Sequence, residues 1–179
     1  MVFIITGSQG QGKTNFLKSL SEKLKHNKIQ LKGFIALGTF ESNLRSKFIL
    51  EDVNGTSREL FCDTTIRPED KQFGRFAFKP EGHDFGVSCL SGDEGSNKTI
   101  YVLDEIGKLE TSGYGWHDSL KRLLNEKKDL IIAVRNLYLY EIVSYFGIEN
   151  FRIINIEDIL PEEVSSEISE LIKGRQNKG

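Results

Sequence analysis

Apolar residues recur along this chain in two rhythms. Continuous runs come first: Val2-Phe3-Ile4-Ile5, Thr99-Ile100-Tyr101-Val102-Leu103 and Leu130-Ile131-Ile132-Ala133-Val134. Unbroken apolar runs of this length are what a strand buried on both faces requires. Phe151-Arg152-Ile153-Ile154 is a shorter run of the same kind. Between the runs the spacing turns helical. Phe16, Leu20 and Leu24, widened by Leu17, predict a helix over residues 13–25, ending near His26-Asn27. Trp116, Leu120, Leu123 and Leu124 predict another. Leu139, Ile142, Val143 and Phe146 predict a third, stopped by Gly147. Val164, Ile168, Leu171 and Ile172 predict a last helix, with Pro161 in its first turn. Strands alternating with helices build a parallel α/β sheet with helices on both faces.

The middle of the chain breaks this rhythm. Gly33-Phe34-Ile35-Ala36-Leu37 reads as a strand. Residues 48–53 and 58–62 read as two more, flanking Asn54-Gly55, a strong hairpin signal. Arg75-Phe76-Ala77-Phe78 reads as a further strand, stopped by Pro80. Strands in succession predict an antiparallel extension. Residues 80–98 have the least pattern: glycine clusters bracket Val87-Ser88-Cys89-Leu90, and one short helical turn is expected there. With no repeat, linker or low-complexity stretch, residues 1–179 are expected to form one domain.

Gly7-Ser8-Gln9-Gly10-Gln11-Gly12-Lys13-Thr14 follows the first apolar run and opens the first helix. This is the phosphate-loop pattern G-x-x-x-x-G-K-[ST] in its required strand-to-helix context. Glycines let the backbone turn its N–H groups inward as an anion nest. Lys13 would reach the β- and γ-phosphates, and the Thr14 hydroxyl would ligate Mg²⁺. The helix dipole points at the same phosphates. The apolar strand over residues 99–103 runs into Asp104-Glu105, as a Walker B strand does. Asp104 is thus a candidate metal-side carboxylate, and Glu105 a candidate base for the attacking water.

Asp104-Glu105-Ile106-Gly107-Lys108-Leu109-Glu110 closely resembles the DEIGKME-type signature of the cancer-related nucleoside-triphosphatase family. An N-terminal P-loop and a Gly-Phe strand, here Gly33-Phe34, are similar too. The resemblance implies an α/β P-loop NTPase, with a mostly parallel sheet, helices on both faces and an antiparallel hairpin extension. It implies a cytosolic, Mg²⁺-dependent phosphatase of ATP, GTP, CTP and UTP with broad base tolerance. By position, Gly7 to Thr14 form the phosphate loop, Thr14 and Asp104 serve the metal, and Lys13, Asp104 and Glu105 carry the chemistry. Lys108 and Glu110 would order the loop beyond. The chain departs from the family pattern at Asn15, in lacking a well-formed helix over residues 80–98, and at Arg135-Asn136 after the strand at 130–134.

Other residues add less. Arg135, at a strand end on the ligand side, is either an internal arginine finger or an ordinary exposed Arg; the second is the commoner case. Trp116 is expected in the core. Phe73, Phe76 and Phe78 are read as a strand face with a core partner. His26, His83 and His117 lack metal spacing. The net charge of −2 gives no electrostatic case for nucleic acid or an anionic membrane. No apolar run spans a bilayer. The start of the chain runs directly into the glycine loop, which predicts no signal peptide; a cytoplasmic location and a monomer are expected. Cys62 and Cys89 are expected as reduced thiols, and the sequons at Asn54 and Asn97 carry no weight. The basic run over residues 173–178 reads as a solvated end. Two other classes compete with hydrolysis. A small-molecule or nucleotide kinase usually has an Arg-rich lid, against which Arg58, Arg67 and Arg75 are widely spaced. A GTP switch needs Asn-Lys-x-Asp, which Asn97-Lys98-Thr99-Ile100 does not complete.

Overall fold

The computed structural model describes residues 1–42, 44–92 and 99–176. A nine-stranded sheet runs β5-β6-β4-β3-β2-β7-β8-β1-β9. Its parallel part consists of β2 (Gln30–Glu41), β7 (Thr99–Ile106), β8 (Asp129–Arg135), β1 (Val2–Gly7) and β9 (Phe151–Asn155). The antiparallel arm adds β3 (Leu44–Asp52), β4 (Arg58–Asp63), β6 (Phe76–Phe78) and β5 (Lys71–Phe73).

Period-two alternation assigns the two faces. Phe3, Ile5, Ile100, Val102, Ile131 and Ala133 pack under α1 (Lys13–His26) and α6 (Pro161–Gln176). Val2, Ile4, Tyr101, Leu103, Ile132 and Val134 face the other way, onto α4 (His117–Asn125) and α5 (Leu139–Tyr145). The expected α/β architecture, with a parallel sheet, helices on both faces and a hairpin extension, is what the chain adopts. The Asn54-Gly55 hairpin joins β3 to β4: Asp52 N–H donates to Ser57 O at 3.0 Å, and Gly55 has φ +75.

Four departures from the sequence expectations matter. Residues 80–98 carry a real helix, α2 (Pro80–Cys89), where only a short turn was expected. Pro80 ends β6 and also starts α2 at a first-turn position, where its missing N–H costs nothing. The strand expected at 33–37 runs from Gln30 to Glu41 and pairs antiparallel with β3, forming a second hairpin. Phe73 belongs to its own strand, β5, turned back at Gly74. A four-residue helix, α3 (Lys108–Thr111), follows β7. Asn97-Lys98, weighed for guanine reading and as a sequon, lies outside the described residues, as does Lys178.

Trp116 is in the core as expected, 2% exposed. Its ring packs on Phe34 and Phe61 at 4.5 and 4.8 Å, and on His83 at 5.5 Å. The arm is tied down differently. Lys79 is buried against Asp70 at 2.6 Å and Asp63 at 3.0 Å, and donates to Thr65 O. Arg67 adds bonds to Asp70 and Glu81.

Candidate active site

Gly7 to Thr14 join β1 to α1 at the carboxyl end of the sheet, where α/β folds place their ligands. Gly10 and Gly12 hold φ +82 and +95, a region that side chains with a Cβ avoid. Lys13 is 7% exposed, and its Nζ donates to Gly7 O and Ser8 O, both at 2.9 Å. The ammonium therefore lies folded along the inside of the loop. Burial holds it below its ordinary pKa; Arg135 and Arg45 add to the depression, while Glu105 and Asp104 oppose it. Ser8 N–H donates to Gln11 Oε1, Gln11 Nε2 donates to Glu157, and Asn136 Nδ2 donates to Ser8 Oγ at 3.2 Å.

Asp104 and Glu105 are adjacent in β7, and regular alternation would aim them at opposite faces. The β7–β8 register breaks there. Leu103 faces Ile132 and Ile106 faces Val134, so two residues of β7 are set against one of β8. Glu105 is the extra residue, with φ +57. Such a bulge re-aims side chains and stores roughly 1–3 kcal/mol of backbone strain at functional positions. It also flips the face of Ile106, which packs with Tyr101 and Leu103 rather than with Ile100 and Val102.

Asp104 is 1% exposed. It accepts the N–H of Ala36 at 3.1 Å and of Glu105 at 2.8 Å, and hydrogen-bonds the Thr14 side chain. Burial, then the charge of Glu105, pushes its carboxyl well above the usual carboxylate range. A divalent cation would reverse that shift. The Thr14 hydroxyl and the Asp104 carboxylate are hard oxygen donors already in contact. That set fits Mg²⁺, which takes few protein oxygens and keeps several waters. Among the described residues no group of three or more His, Cys, Asp or Glu could form a fuller metal cage.

Glu105 is gripped by two guanidiniums. Arg45 Nη1 lies 2.8 Å from Oε1, and Arg135 Nη2 lies 3.4 Å from Oε2. Arg135 also donates to Gln9 Oε1 at 3.1 Å. Arg135 thus lies beside the glycine loop and Glu105, bonded to both. Arg45 carries no sequence motif and is the residue that sequence reasoning missed. A second bulge delivers it: Lys47 pairs with Thr39 and Arg45 with Phe40, skipping Ser46. That skip turns Arg45 onto the Phe48 face, its guanidinium 4.9 Å from the Phe48 ring and 5.2 Å from Phe40.

Glu110 is fully buried, with Oε2 accepting from Gly107 N–H at 2.7 Å and Oε1 from Trp116 N–H at 3.2 Å. Burial pushes its carboxyl up to about 7. Both of its oxygens are committed to the backbone of the turn around α3. Lys108 opens α3 and is exposed. His117 braces the same turn, its Nδ1 at 2.9 Å from Glu110 O.

The site thus sets three cations (Lys13, Arg45, Arg135) and a pair of carboxylates around a glycine loop. That arrangement suits a polyanion with a metal. Among the described residues no helix is long and apolar enough to cross a membrane. Nucleoside-triphosphatase THEP1 of Thermoplasma acidophilum is 26% identical over 174 residues, covering 89% of this chain and 91% of its own. THEP1 of Ignicoccus hospitalis is 27% identical over 127 residues, 71% of each chain. The solution structure of a human cancer-related nucleoside triphosphatase matches the fold with a TM-score of 0.70, at 18% identity, over 96% of this chain and 97% of that one. The profile of the family described as NTPase matches residues 2–168, from β1 through α6 and so across both motifs. The chain therefore belongs to the NTPase family and is an enzyme of the nucleoside-triphosphatase class.

Proposed function

We propose that the chain hydrolyses nucleoside 5′-triphosphates to diphosphate and phosphate in a Mg²⁺-dependent reaction of broad base tolerance. It does so as a cytoplasmic monomer, with residues 1–179 acting as one domain. The observation that carries this reading is the β7 bulge, which sets Asp104 beside Thr14 and Glu105 among three cations.

In this reading residues 7–14 receive the phosphates. Lys13 exchanges Gly7 O and Ser8 O for β- and γ-phosphate oxygens, whose charge offsets the desolvation of its buried ammonium. Thr14 and Asp104 would hold Mg²⁺, which when bound would neutralise phosphate charge. Glu105 orients the attacking water and takes its proton. Arg45 and Arg135 hold the Glu105 carboxylate in direction; as the triphosphate enters, they become the cations facing its terminal oxygens. Such internal fingers stabilise charge that grows in the transition state.

The test is phosphate release from ATP, GTP, CTP and UTP across a Mg²⁺ series. Release from all four that disappears on chelation is expected. Release from none of them, by protein that binds a nonhydrolysable triphosphate, overturns the reading.

A further inference from the structure

We propose that the aromatic cavity beneath the antiparallel arm is an acceptor site. It would take a neutral, planar, hydroxyl-bearing molecule of nucleoside size, which receives the phosphoryl group in place of water. The proposal rests on the reading above that Glu105 is the base and faces the γ-phosphate.

The cavity has a volume of about 230 Å³. Asp104, Glu105 and Arg135 share its wall with Phe61, Phe73 and Phe78. A larger groove of about 670 Å³ shares Phe61, Phe73, Phe78 and Leu109 with it, and carries His83, His117 and Lys71 further out. Together they match the size of ordinary small-molecule sites. Hydrolysis needs only a water on this side of Glu105. Phe76 and Phe78 each pack one side on the core, against Phe48 and Phe61, and together with Phe73 they remain half-buried and line the space.

Charge selects the class of occupant. An anionic acceptor would enter against Asp104, Glu105 and Glu110, which outnumber Lys108 and Arg135 on the cavity wall. With triphosphate bound, Arg135 and Arg45 would face its terminal oxygens rather than the acceptor. A neutral ring meets stacking surfaces instead, with the mixed charges of the outer groove available to its polar substituents. The occupant's hydroxyl would then lie at Glu105. Its oxygen bonds to the γ-phosphorus, and the bond from that phosphorus to the β–γ bridging oxygen breaks. The nucleoside diphosphate leaves with that oxygen, and the hydroxyl proton passes to Glu105. No further reactant is needed.

Uridine and adenosine serve as probes. Binding is followed by calorimetry on the full chain without nucleotide. Transfer is followed with γ-labelled ATP and Mg²⁺, separating labelled inorganic phosphate from labelled probe. The expected result is binding of at least one probe in the millimolar range or better, and label on its hydroxyl. Phe73→Ala weakens that binding by about tenfold, the scale of one lost stacking partner. Ile66→Ala, an exposed residue of the arm that lines neither cavity, does not. Glu105→Gln retains probe binding and loses transfer. Absence of probe binding overturns the proposal, and so does binding without label transfer while phosphate release continues. Failure of phosphate release in the absence of any probe strikes the hydrolytic reading instead, so the two failures are distinct.

Discussion

The parallel half of the sheet and its antiparallel arm are built on different physics. In the parallel half, aliphatic strands are buried on both faces, and the strand ends converge on the glycine loop and Asp104. The arm is held by aromatic pairs, Phe61 on Phe78 and Phe48 on Phe76, and by the buried network of Lys79, Asp63 and Asp70. The first is a rigid cradle shared by many phosphate-binding folds. The second adds Arg45 and the cavity, features that no phosphate loop needs. In the proposed reaction the comparison assigns phosphate capture to the parallel half, while control at the γ-phosphate crosses into the arm.

Lys13→Ala should give the largest effect, because it removes the cation of the glycine loop. Turnover falls below detection in a phosphate-release assay, while far-UV circular dichroism is unchanged. Full activity in that folded variant would sink the site assignment. Glu105→Gln comes next. It keeps size and reach but cannot accept a proton, so turnover falls roughly 10²–10⁴-fold with triphosphate affinity near normal. Asp104→Asn behaves differently, raising the Mg²⁺ requirement as well. Calorimetry with a nonhydrolysable triphosphate, run across Mg²⁺ concentrations, separates the two. If Glu105→Gln loses affinity while Asp104→Asn keeps both affinity and Mg²⁺ response, the roles are exchanged.

Lys79→Ala tests how the arm is held. It takes the ammonium away from Asp70, which keeps Arg67, and from Asp63, which keeps the Thr65 N–H, so the protein should lose stability. Denaturant unfolding should show that loss. If the arm opens by itself, hydrogen exchange in β4 and β6 rises before exchange in β1 and β8. Uniform exchange across all four strands would show that the arm and the cradle unfold as one.

The same division decided what could be read from sequence. Long aliphatic runs and helical stripes marked β1, α1, β7, β8, α5, β9 and α6 within a few residues. The arm was less legible because its signals contradict local rules. Gly82 and Gly86 look like helix breakers, yet they are where α2 touches its neighbours. A Cβ at Gly82 would lie 2.2 Å from Leu60 O, and one at Gly86 2.2 Å from Trp116 Cη2. Arg45 was invisible for a related reason: its face depends on a bulge, which breaks the alternation that assigns faces. Asp104 and Glu105 were legible as residues, but the turn of backbone that aims them at one site was not.

Arg45→Ala asks whether the arm contributes to the chemistry at all. Loss of one cation at a developing charge should lower turnover by about 10- to 100-fold, somewhat less than loss of a dedicated oxyanion donor. A structural role alone would lower the melting temperature and leave kcat intact. Arg45→Lys should recover part of the rate, since it restores charge without the fork. Arg135→Ala acts on the same carboxylate, so the double variant should cost less than the sum of the singles. Strict additivity would show that the two guanidiniums do not share Glu105 during turnover.

Base preference should be the smallest effect, and it belongs wholly to the parallel half. Discrimination among bases needs unpaired donors and acceptors; a stacking surface alone tolerates every ring. On the rim of the glycine loop the polar groups already have protein partners. Asn136 bonds Ser8, Glu157 accepts from Gln11, and Asn155 donates to Asp158. The same side carries exposed apolar residues, Leu137 after β8 and Leu160 before α6. A base lying there finds apolar contact and no open hydrogen-bond code. Rates for ATP, GTP, CTP and UTP should therefore agree within about tenfold, or roughly 1.4 kcal/mol. Leu137→Ala should weaken all four nucleotides by a similar small factor, read from KM for each. A hundredfold preference for one base, or a Leu137→Ala effect confined to one, would mean that one of those internal pairs opens to read the base. Asn136→Ala would then abolish the preference if its amide is the reader.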